Sequence, residues 1–305
     1  MRPCAALNVF REENCIRGPP PVCIYFSVPD CPACRVSALR VFFCRIGRRF
    51  RIGRRCNVAA VISATAAVIA AVITDSETHH KYALMDLKLM PLYAILDPEL
   101  TVGLPPRTTA TTGMDALTHA IEAYISWTYN TKESLRLAEE AVKLIFDNLE
   151  LAYQHGEDLK VRENMMIAAF KAGFAFSRAG VGNVHAIAHT LGGLYGVPHG
   201  LANAVLLPLV LEDYGKAAYP RLARLAALVG LKGESEESLA KAFIAEIRAM
   251  NARMDIPDHF NCIRKEDIPL MATWAAQEAN PVYPVPVIYD EARFARVIER
   301  SHHSQ

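Results

Sequence analysis

The stretch VHAIAHTLGGLYGVPHG, Val184–Gly200, places His185, His189 and His199 within fifteen residues of a chain that has only ten histidines. His185 and His189 lie four residues apart, so they share one face of a predicted helix. A turn rich in glycine and proline precedes His199 and can bring it back to the same cavity. The stretch therefore predicts a helix, a tight turn and a cluster of imidazoles.

A second pair with the same spacing, Asp115 and His119, lies on another predicted helix. A carboxylate and imidazoles from two helices and a turn can enclose one divalent cation, and such donors suit Zn²⁺, Fe or Ni. Burial of an unpaired carboxylate among Ala, Leu and Ile costs free energy, which a metal ion or a hydrogen-bond donor offsets. Spacing alone leaves two interpretations open: a metal site, or core histidines hydrogen-bonded to the backbone.

The chain has a helical pattern beyond about residue 105. Apolar residues recur at steps of three and four in Ser134–Gln154, and glycines and prolines separate the later helical stretches. Thr112 is predicted to be the N-cap of the helix that contains Asp115. Strand-like pieces, AAVIT, YALMDLKLMP and YAILDPE, occur only on the N-terminal side. We therefore predict an α/β piece over residues 1–104 and an all-α domain over residues 105–305.

Composition limits the class of partner. The 305 residues are 52% hydrophobic and 21% charged, which allows a large buried core. The formal net charge is +1, so there is no basic excess of the kind that nucleic-acid binding uses. We expect a small-molecule substrate and no nucleic-acid partner.

The first 72 residues differ in composition from the remainder. The first lysine is Lys81, and seven of the eight cysteines lie before residue 57. This break motivates the hypothesis that residues 1–72 are a foreign or frame-shifted segment joined to an ordinary enzyme sequence. Met1–Val9 is too short and too mixed for a signal peptide. We therefore expect reduced thiols and a cytoplasmic location.

Two motifs in this segment each have two interpretations. Cys31-Pro-Ala-Cys34 has the spacing of a thioredoxin-like redox motif, but the later elements of that fold are missing, which favours chance spacing. The apolar run Val58–Ile73 is shorter than the roughly 20 residues that a membrane helix needs. Its Ala, Ser and Thr content favours a buried strand or helix, and a membrane tether is the alternative.

Two long stretches resemble the signature sequences of the iron-containing, or group III, alcohol dehydrogenases. They are TATTGMDALTHAIEAY, Thr109–Tyr124, and GVGNVHAIAHTLGGLYGVPHGLANAVLLP, Gly180–Pro208. The likeness extends from about Ala71 to Glu299. It implies a nucleotide-binding α/β domain followed by a helical metal-binding domain, as in the dehydroquinate synthase fold.

The resemblance also implies a site. It places the four metal ligands on Asp115, His119, His185 and His199. His189 matches a histidine beside the metal that contacts substrate or relays a proton, and Lys81 matches a lysine that approaches the cofactor. The implied metal is Fe²⁺, although affinity order alone favours Zn²⁺. The implied cofactor is NAD or NADP, the substrate is an alcohol or aldehyde, and the assembly is a homo-oligomer such as a dimer.

The chain departs from this family where the cofactor should bind. Relatives carry a Gly-Gly-Gly-Ser loop and a Thr-Thr-Ala-Gly-Thr-Gly-Ser-Glu stretch, and this chain has neither. The second stretch should fall near Val61–Ala66, which reads VISATA. Without glycines the backbone cannot approach a pyrophosphate in the same way. The main hypothesis is a metal-dependent, NAD(P)-linked alcohol dehydrogenase or aldehyde reductase; the alternative is a metal-binding helical protein that lacks dehydrogenase activity.

Overall fold

The computed structural model describes residues 70–75, 77–85 and 96–302. Strand β1 (Ala70–Thr74) pairs antiparallel with strand β2 (Lys81–Met85), so that Thr74 lies opposite Lys81. The Asp75 carboxylate accepts hydrogen bonds from two backbone N–H groups of the connecting turn, which is a common role of Asp in turns. The predicted AAVIT strand is confirmed, and the second predicted strand is confirmed over Tyr82–Met85.

The third predicted strand, YAILDPE, is wrong in its described part. Pro98–Thr101 forms a 3₁₀ helix, and the Asp97 carboxylate caps it by accepting a hydrogen bond from the Glu99 N–H. Proline at the first position and a capping aspartate favour a helical turn over a strand.

Several predictions concern residues outside the described part of the chain. These include the Cys31–Cys34 motif and residues 58–69 of the apolar run, whose last four residues belong to β1. Within the described residues, no helix is both long enough and apolar enough to cross a bilayer. The α/β domain over residues 1–104 and the boundary at residue 105 stay predictions.

Nine α-helices follow in the described residues, and most of the hydrophobic core lies between them. They are α1 (Pro106–Ile125), α2 (Lys132–Gln154), α3 (Leu159–Ala179), α4 (Asn183–Tyr195), α5 (His199–Tyr214), α6 (Tyr219–Leu228), α7 (Glu236–Arg253), α8 (Ile268–Ala279) and α9 (Glu291–Arg300).

Helix α1 is the central element, since it packs against α2, α3 and α5 and is almost fully buried from Thr109 onwards. The prediction that Thr112 caps this helix is wrong, because α1 begins six residues earlier at Pro106. The fixed φ of proline suits the first helical position. The Thr112 hydroxyl donates instead to the carbonyl of Thr108 inside the helix, at 2.8 Å.

The turn between α4 and α5 brings His199 beside α1. Gly196 ends α4 in the left-handed conformation, with φ of 65°, and Pro198 precedes α5. A Cβ atom on Gly200 would lie 2.8 Å from the carbonyl carbon of Thr111 on α1. Only glycine permits this approach of the two backbones, which places His199 next to the α1 residues of the cluster.

Arg162 on α3 fixes the segment that leads into α1. Its side chain is buried, at 1% exposure, and donates to the carbonyls of Gly156 and Leu104 and to the Thr109 hydroxyl. This one guanidinium satisfies three acceptors: one in the loop between α2 and α3, one in the segment before α1, and one in α1 itself. It thereby holds the start of α1 against the remainder of the core.

Candidate metal centre

Four predicted ligand residues meet at one point between α1, α4 and α5. One side-chain donor atom from each of Asp115, His119, His185 and His199 lies within 4.8 Å of every other. The three residues other than His199 are buried, and His199 is partly exposed. The cluster is therefore open to solvent on the His199 side.

The spacing of the donors suits a single cation. The Asp115 Oδ1 atom lies 3.5 Å from His199 Nε2 and 3.9 Å from His185 Nε2, and the Nε2 atoms of His119 and His185 are 3.0 Å apart. Donors at about 2.1 Å from one ion lie about 3.4 Å apart in a tetrahedron and about 3.0 Å apart at neighbouring octahedral corners. The observed separations bracket these values.

The protonation of the histidines also suits a cation. Burial lowers the pKa of His185 well below its ordinary value, and the other histidines of the cluster lower it further. Burial lowers the pKa of His199 to about 4, although the Asp115 carboxylate opposes this shift. Burial likewise lowers the pKa of His119. Neutral imidazoles keep the lone pair that a metal ion needs.

Asn203 on α5 contributes to the cluster, and the sequence analysis missed it. Its amide nitrogen lies 2.6 Å from Asp115 Oδ1 and 3.1 Å from His199 Nε2. The amide donates to the carboxylate and so orients it. The signal in the sequence was its position four residues after His199, on the same face of α5.

Glu122 on α1 contacts His185 on the side of its ring away from the cluster. The sequence analysis also missed this residue. Its Oε2 atom lies 2.6 Å from His185 Nδ1, on the side of the ring away from the cluster. Burial raises the pKa of Glu122 to about 8, while hydrogen bonds from the start of α4 act in the opposite direction. The signal was its position seven residues after Asp115, two turns along the same helix face.

His189 lies beside the four-residue cluster and outside it. Its ring stacks on His199 with 5.3 Å between the ring centroids. Its Nδ1 lies 2.7 Å from Glu278 Oε1, which also accepts a hydrogen bond from the Tyr283 hydroxyl at 2.5 Å. Because a carboxylate only accepts, the His189 proton is on Nδ1 and the lone pair is on Nε2. The sequence analysis did not identify Glu278 or Tyr283.

Lys81 approaches the same region from the β-hairpin. A Cβ atom on Gly192 of α4 would lie 2.5 Å from the Lys81 ammonium nitrogen, so the lysine passes directly over this glycine. A Cβ atom on Gly193 would overlap the carbonyl oxygen of His79. Burial lowers the pKa of Lys81, and its positive charge contributes to the lowered pKa of His199. The absence of side chains at Gly192 and Gly193 therefore allows the hairpin to pack directly against α4.

Comparison with known proteins identifies a matching family profile and several similar proteins. The sequence profile described as "Fe-containing alcohol dehydrogenase family, C-terminal" matches residues 109–294. The 1,3-propanediol dehydrogenase of Klebsiella pneumoniae is 43% identical over 214 residues, which are 68% of this chain and 55% of that protein. The NADPH-dependent butanol dehydrogenase of Clostridium saccharobutylicum is 40% identical over 195 residues, 64% of this chain and 50% of that protein.

A solved structure has the same fold. The crystal structure of a 1,3-propanediol oxidoreductase superposes with a TM-score of 0.74 at 36% identity, and the match covers 79% of this chain and 64% of that chain. The chain spans about half the length of the curated relatives it matches.

Proposed function

Because this chain belongs to the iron-containing alcohol dehydrogenase family, we propose that it is a metal-dependent, NAD(P)-linked alcohol dehydrogenase or aldehyde reductase. The observation that carries the proposal is the cluster of four donor atoms within 4.8 Å of one another. We propose that these donors, from Asp115, His119, His185 and His199, hold one divalent cation. Fe²⁺ is the ion that the family name indicates, whereas affinity order alone favours Zn²⁺ at these nitrogen and oxygen donors.

The donor set leaves the site electrophilic. One carboxylate and three neutral imidazoles carry a single negative charge, so a divalent ion in this site retains net positive charge. When bound, such an ion supplies Lewis-acid polarisation of an alcohol or aldehyde oxygen, and the nicotinamide supplies or accepts the hydride. Asn203 holds the carboxylate in place, and the burial of Asp115, His119 and His185 keeps their side of the cluster away from solvent.

We propose that His189 moves the proton. Its Nε2 lone pair can accept the proton that an alcohol loses on oxidation and return it on reduction. The carboxyl group of Glu278 accepts from the opposite nitrogen at 2.7 Å, so it orients the ring and stabilises the imidazolium form. Tyr283 in turn fixes Glu278 by donating to the same oxygen atom.

The proposal also covers the cofactor, the substrate, the assembly and the location of the protein. Lys81 is the proposed contact to NAD or NADP, because its ammonium group passes over α4 next to the cluster. The substrate is a short alcohol, diol or aldehyde, in line with the relatives named above. We further propose a homo-oligomer such as a dimer, a cytoplasmic location and no nucleic-acid or membrane partner.

The test combines metal analysis of the full chain with an assay of NADH and NADPH oxidation on short aldehydes. One bound metal per chain with aldehyde-dependent oxidation supports the dehydrogenase. The second candidate is a metal-binding helical protein without this activity, and the glycine-free stretch VISATA at residues 61–66, where relatives carry a glycine-rich one, favours it. Bound metal without any cofactor binding supports that candidate, and a chain that binds no metal contradicts both.

A pair of variants tests the ligand assignment. His199→Ala should lose bound metal while the helical circular dichroism stays unchanged, because His199 lies at the open edge of the cluster. His155→Ala is the matched control, since His155 is exposed at the end of α2 and away from the site. Full metal content in His199→Ala would show that the ligand assignment is wrong.

A further inference from the structure

We propose that Glu122 is a positioning residue that joins α1 to the start of α4 and keeps the His185 proton on Nδ1, so that Nε2 faces the cluster. This inference rests on the proposed metal site and adds a residue to it. Of the four cluster side chains, Glu122 hydrogen-bonds only to His185, and it is not one of the four donors. It acts through His185.

Glu122 is buried without a charged partner. It is 3% exposed, and Asp115 and Arg162 are the only other buried Asp, Glu, Lys or Arg residues in the described part of the chain. Asp115 belongs to the cluster, and Arg162 satisfies three acceptors of the core. A buried carboxyl group is costly unless hydrogen bonds compensate it. The partners of Glu122 therefore indicate its role.

The first two partners are backbone groups at the start of α4. The Gly182 N–H donates to Oε2 and the Val184 N–H donates to Oε1, each at 2.8 Å. The N-cap residue of α4 is Gly182, which has no side chain to accept these bonds. Glu122 thus caps α4 from another helix, and its negative charge suits the positive end of the helix dipole.

The close approach of this carboxyl group requires a glycine. A Cβ atom on Gly182 would lie 2.7 Å from Glu122 Oε1, which is shorter than a normal carbon–oxygen contact. Gly182 has φ of −137°, so its backbone conformation does not itself demand glycine. The absence of a side chain at residue 182 is explained by the space that Glu122 occupies.

The third partner is the imidazole of His185, with Nδ1 at 2.6 Å from Glu122 Oε2. Burial opposes ionisation of Glu122, but backbone N–H groups donate to both of its oxygens and so favour the carboxylate over the acid. A carboxylate can only accept, so Nδ1 carries the hydrogen and Nε2 keeps its lone pair. The Nε2 atom points at the cluster, 3.0 Å from His119 Nε2. A carboxylate that fixes the far nitrogen of a ligating histidine also raises the basicity of the near one.

One helix face therefore supplies two predicted ligands and the support of a third. Asp115, His119 and Glu122 are spaced at i, i+4 and i+7 on α1, and Glu122 reaches α4 through three hydrogen bonds. Metal donors tolerate displacements of only about 0.2 Å from their ideal distances. Loss of the Glu122 contact would leave both the tilt of the His185 ring and its proton unspecified.

The test is the Glu122→Met variant of the full chain, which keeps the length of the side chain and removes both acceptor oxygens. No carboxylate then holds the His185 proton on Nδ1, so the proton should move to Nε2 and block the donor. We expect Co²⁺ affinity, measured by competition with a chelator, to fall about 10- to 100-fold. Glu139→Met is the control, because Glu139 accepts from Tyr124 of α1 outside the cluster and its loss should leave Co²⁺ affinity unchanged.

Nitrogen-15 NMR of the histidine rings, recorded without metal, provides an independent readout. The wild-type protein should show His185 as the Nδ1–H tautomer, and Glu122→Met should show the Nε2–H tautomer. Should Glu122→Met unfold, Glu122→Asp retains the carboxylate and should keep the Nδ1–H tautomer with an intermediate Co²⁺ affinity.

Two results would overturn the inference. One is an unchanged His185 tautomer in folded Glu122→Met. The other is a lower melting temperature with wild-type Co²⁺ affinity, which would reduce Glu122 to a helix cap. A wild-type chain that binds no Co²⁺ contradicts the proposed function instead. In that event the tautomer measurement still decides the role of Glu122.

Discussion

The approach of α5 to α1 at Gly200 predicts how a single methyl group would affect the cluster. In Gly200→Ala the new Cβ atom would lie 2.8 Å from the carbonyl carbon of Thr111 and 3.3 Å from the amide nitrogen of Thr112. Both neighbours are backbone atoms of the buried helix α1, so they cannot rotate away. The helices must separate where His199 faces Asp115.

The size of this separation follows from the contact distances. Carbon atoms in contact normally lie about 3.5–4.0 Å apart, so the start of α5 should move by about 0.7–1.2 Å. An overpacked site of this kind costs about 1–3 kcal/mol of folding free energy. The same movement exceeds by several fold the displacement of about 0.2 Å that metal donors tolerate. We therefore expect metal affinity to suffer far more than stability.

The assay measures the two quantities separately. Urea unfolding in the presence of a chelator gives the stability of the metal-free chain, and Co²⁺ titration gives the affinity. Gly196→Ala is the matched control, because Gly196 has φ of 65° and no atom within 4 Å of its added Cβ. Its left-handed conformation should cost about 1–2 kcal/mol without moving a ligand. Both variants should lose similar stability, and only Gly200→Ala should lose affinity.

The reasoning would be refuted by a Gly200→Ala variant that is destabilised like Gly196→Ala and still binds Co²⁺ with wild-type affinity. That outcome would mean that the displacement at Gly200 does not reach His199. An equal loss of affinity in both variants would also refute it, because the loss would then follow general destabilisation.

Three further predictions follow from other parts of the structure. His189→Ala should keep one metal per chain and lower kcat by about 10²- to 10⁴-fold, since a proton relay is lost. If the variant has the turnover rate and pH profile of the wild type, His189 is not the relay. Arg162→Met should lower the urea-derived free energy of unfolding by about 3–5 kcal/mol, because the acceptors on Leu104, Thr109 and Gly156 lose their donor. A loss below about 1 kcal/mol would count against Arg162 as the residue that holds the start of α1. Metal at about 1,000 times its Kd should raise stability by about 4 kcal/mol over the chelated protein, and His199→Ala should show no such gain.

The helical pairs in and beside the cluster were predictable because they are local. Asp115 with His119, and His185 with His189, are each four residues apart on one helix, and this spacing alone places the two side chains together. The meeting of the two helices depends on contacts far apart in the chain, and the sequence left a core-histidine interpretation open. The structure brings one donor atom of each of the four side chains to within 4.8 Å of every other.

The supporting residues were not predictable because their partners are distant in sequence. Glu122 is 63 residues from His185, and Glu278 is 89 residues from His189. A glutamate on a helix reads as a solvated charge until the fold shows that it is buried. The start of α1 was misjudged for a local reason, since Thr112 can cap a helix or bond back within one, and the prolines six and seven residues earlier decided the outcome.

The packing of the β-hairpin on α4 determines whether cation binding and the contacts of Lys81 can be changed independently. His80 stacks on Trp274 of α8 with 4.5 Å between ring centroids, and the bare backbone of Gly192 and Gly193 receives Lys81 and the His79 carbonyl. A side chain at residue 193 would overlap the His79 carbonyl and displace the hairpin that carries Lys81, while the donors of α1, α4 and α5 stayed in position. One substitution there would separate cation binding from the contacts of Lys81, because Gly192 and Gly193 are where the described hairpin packs on α4.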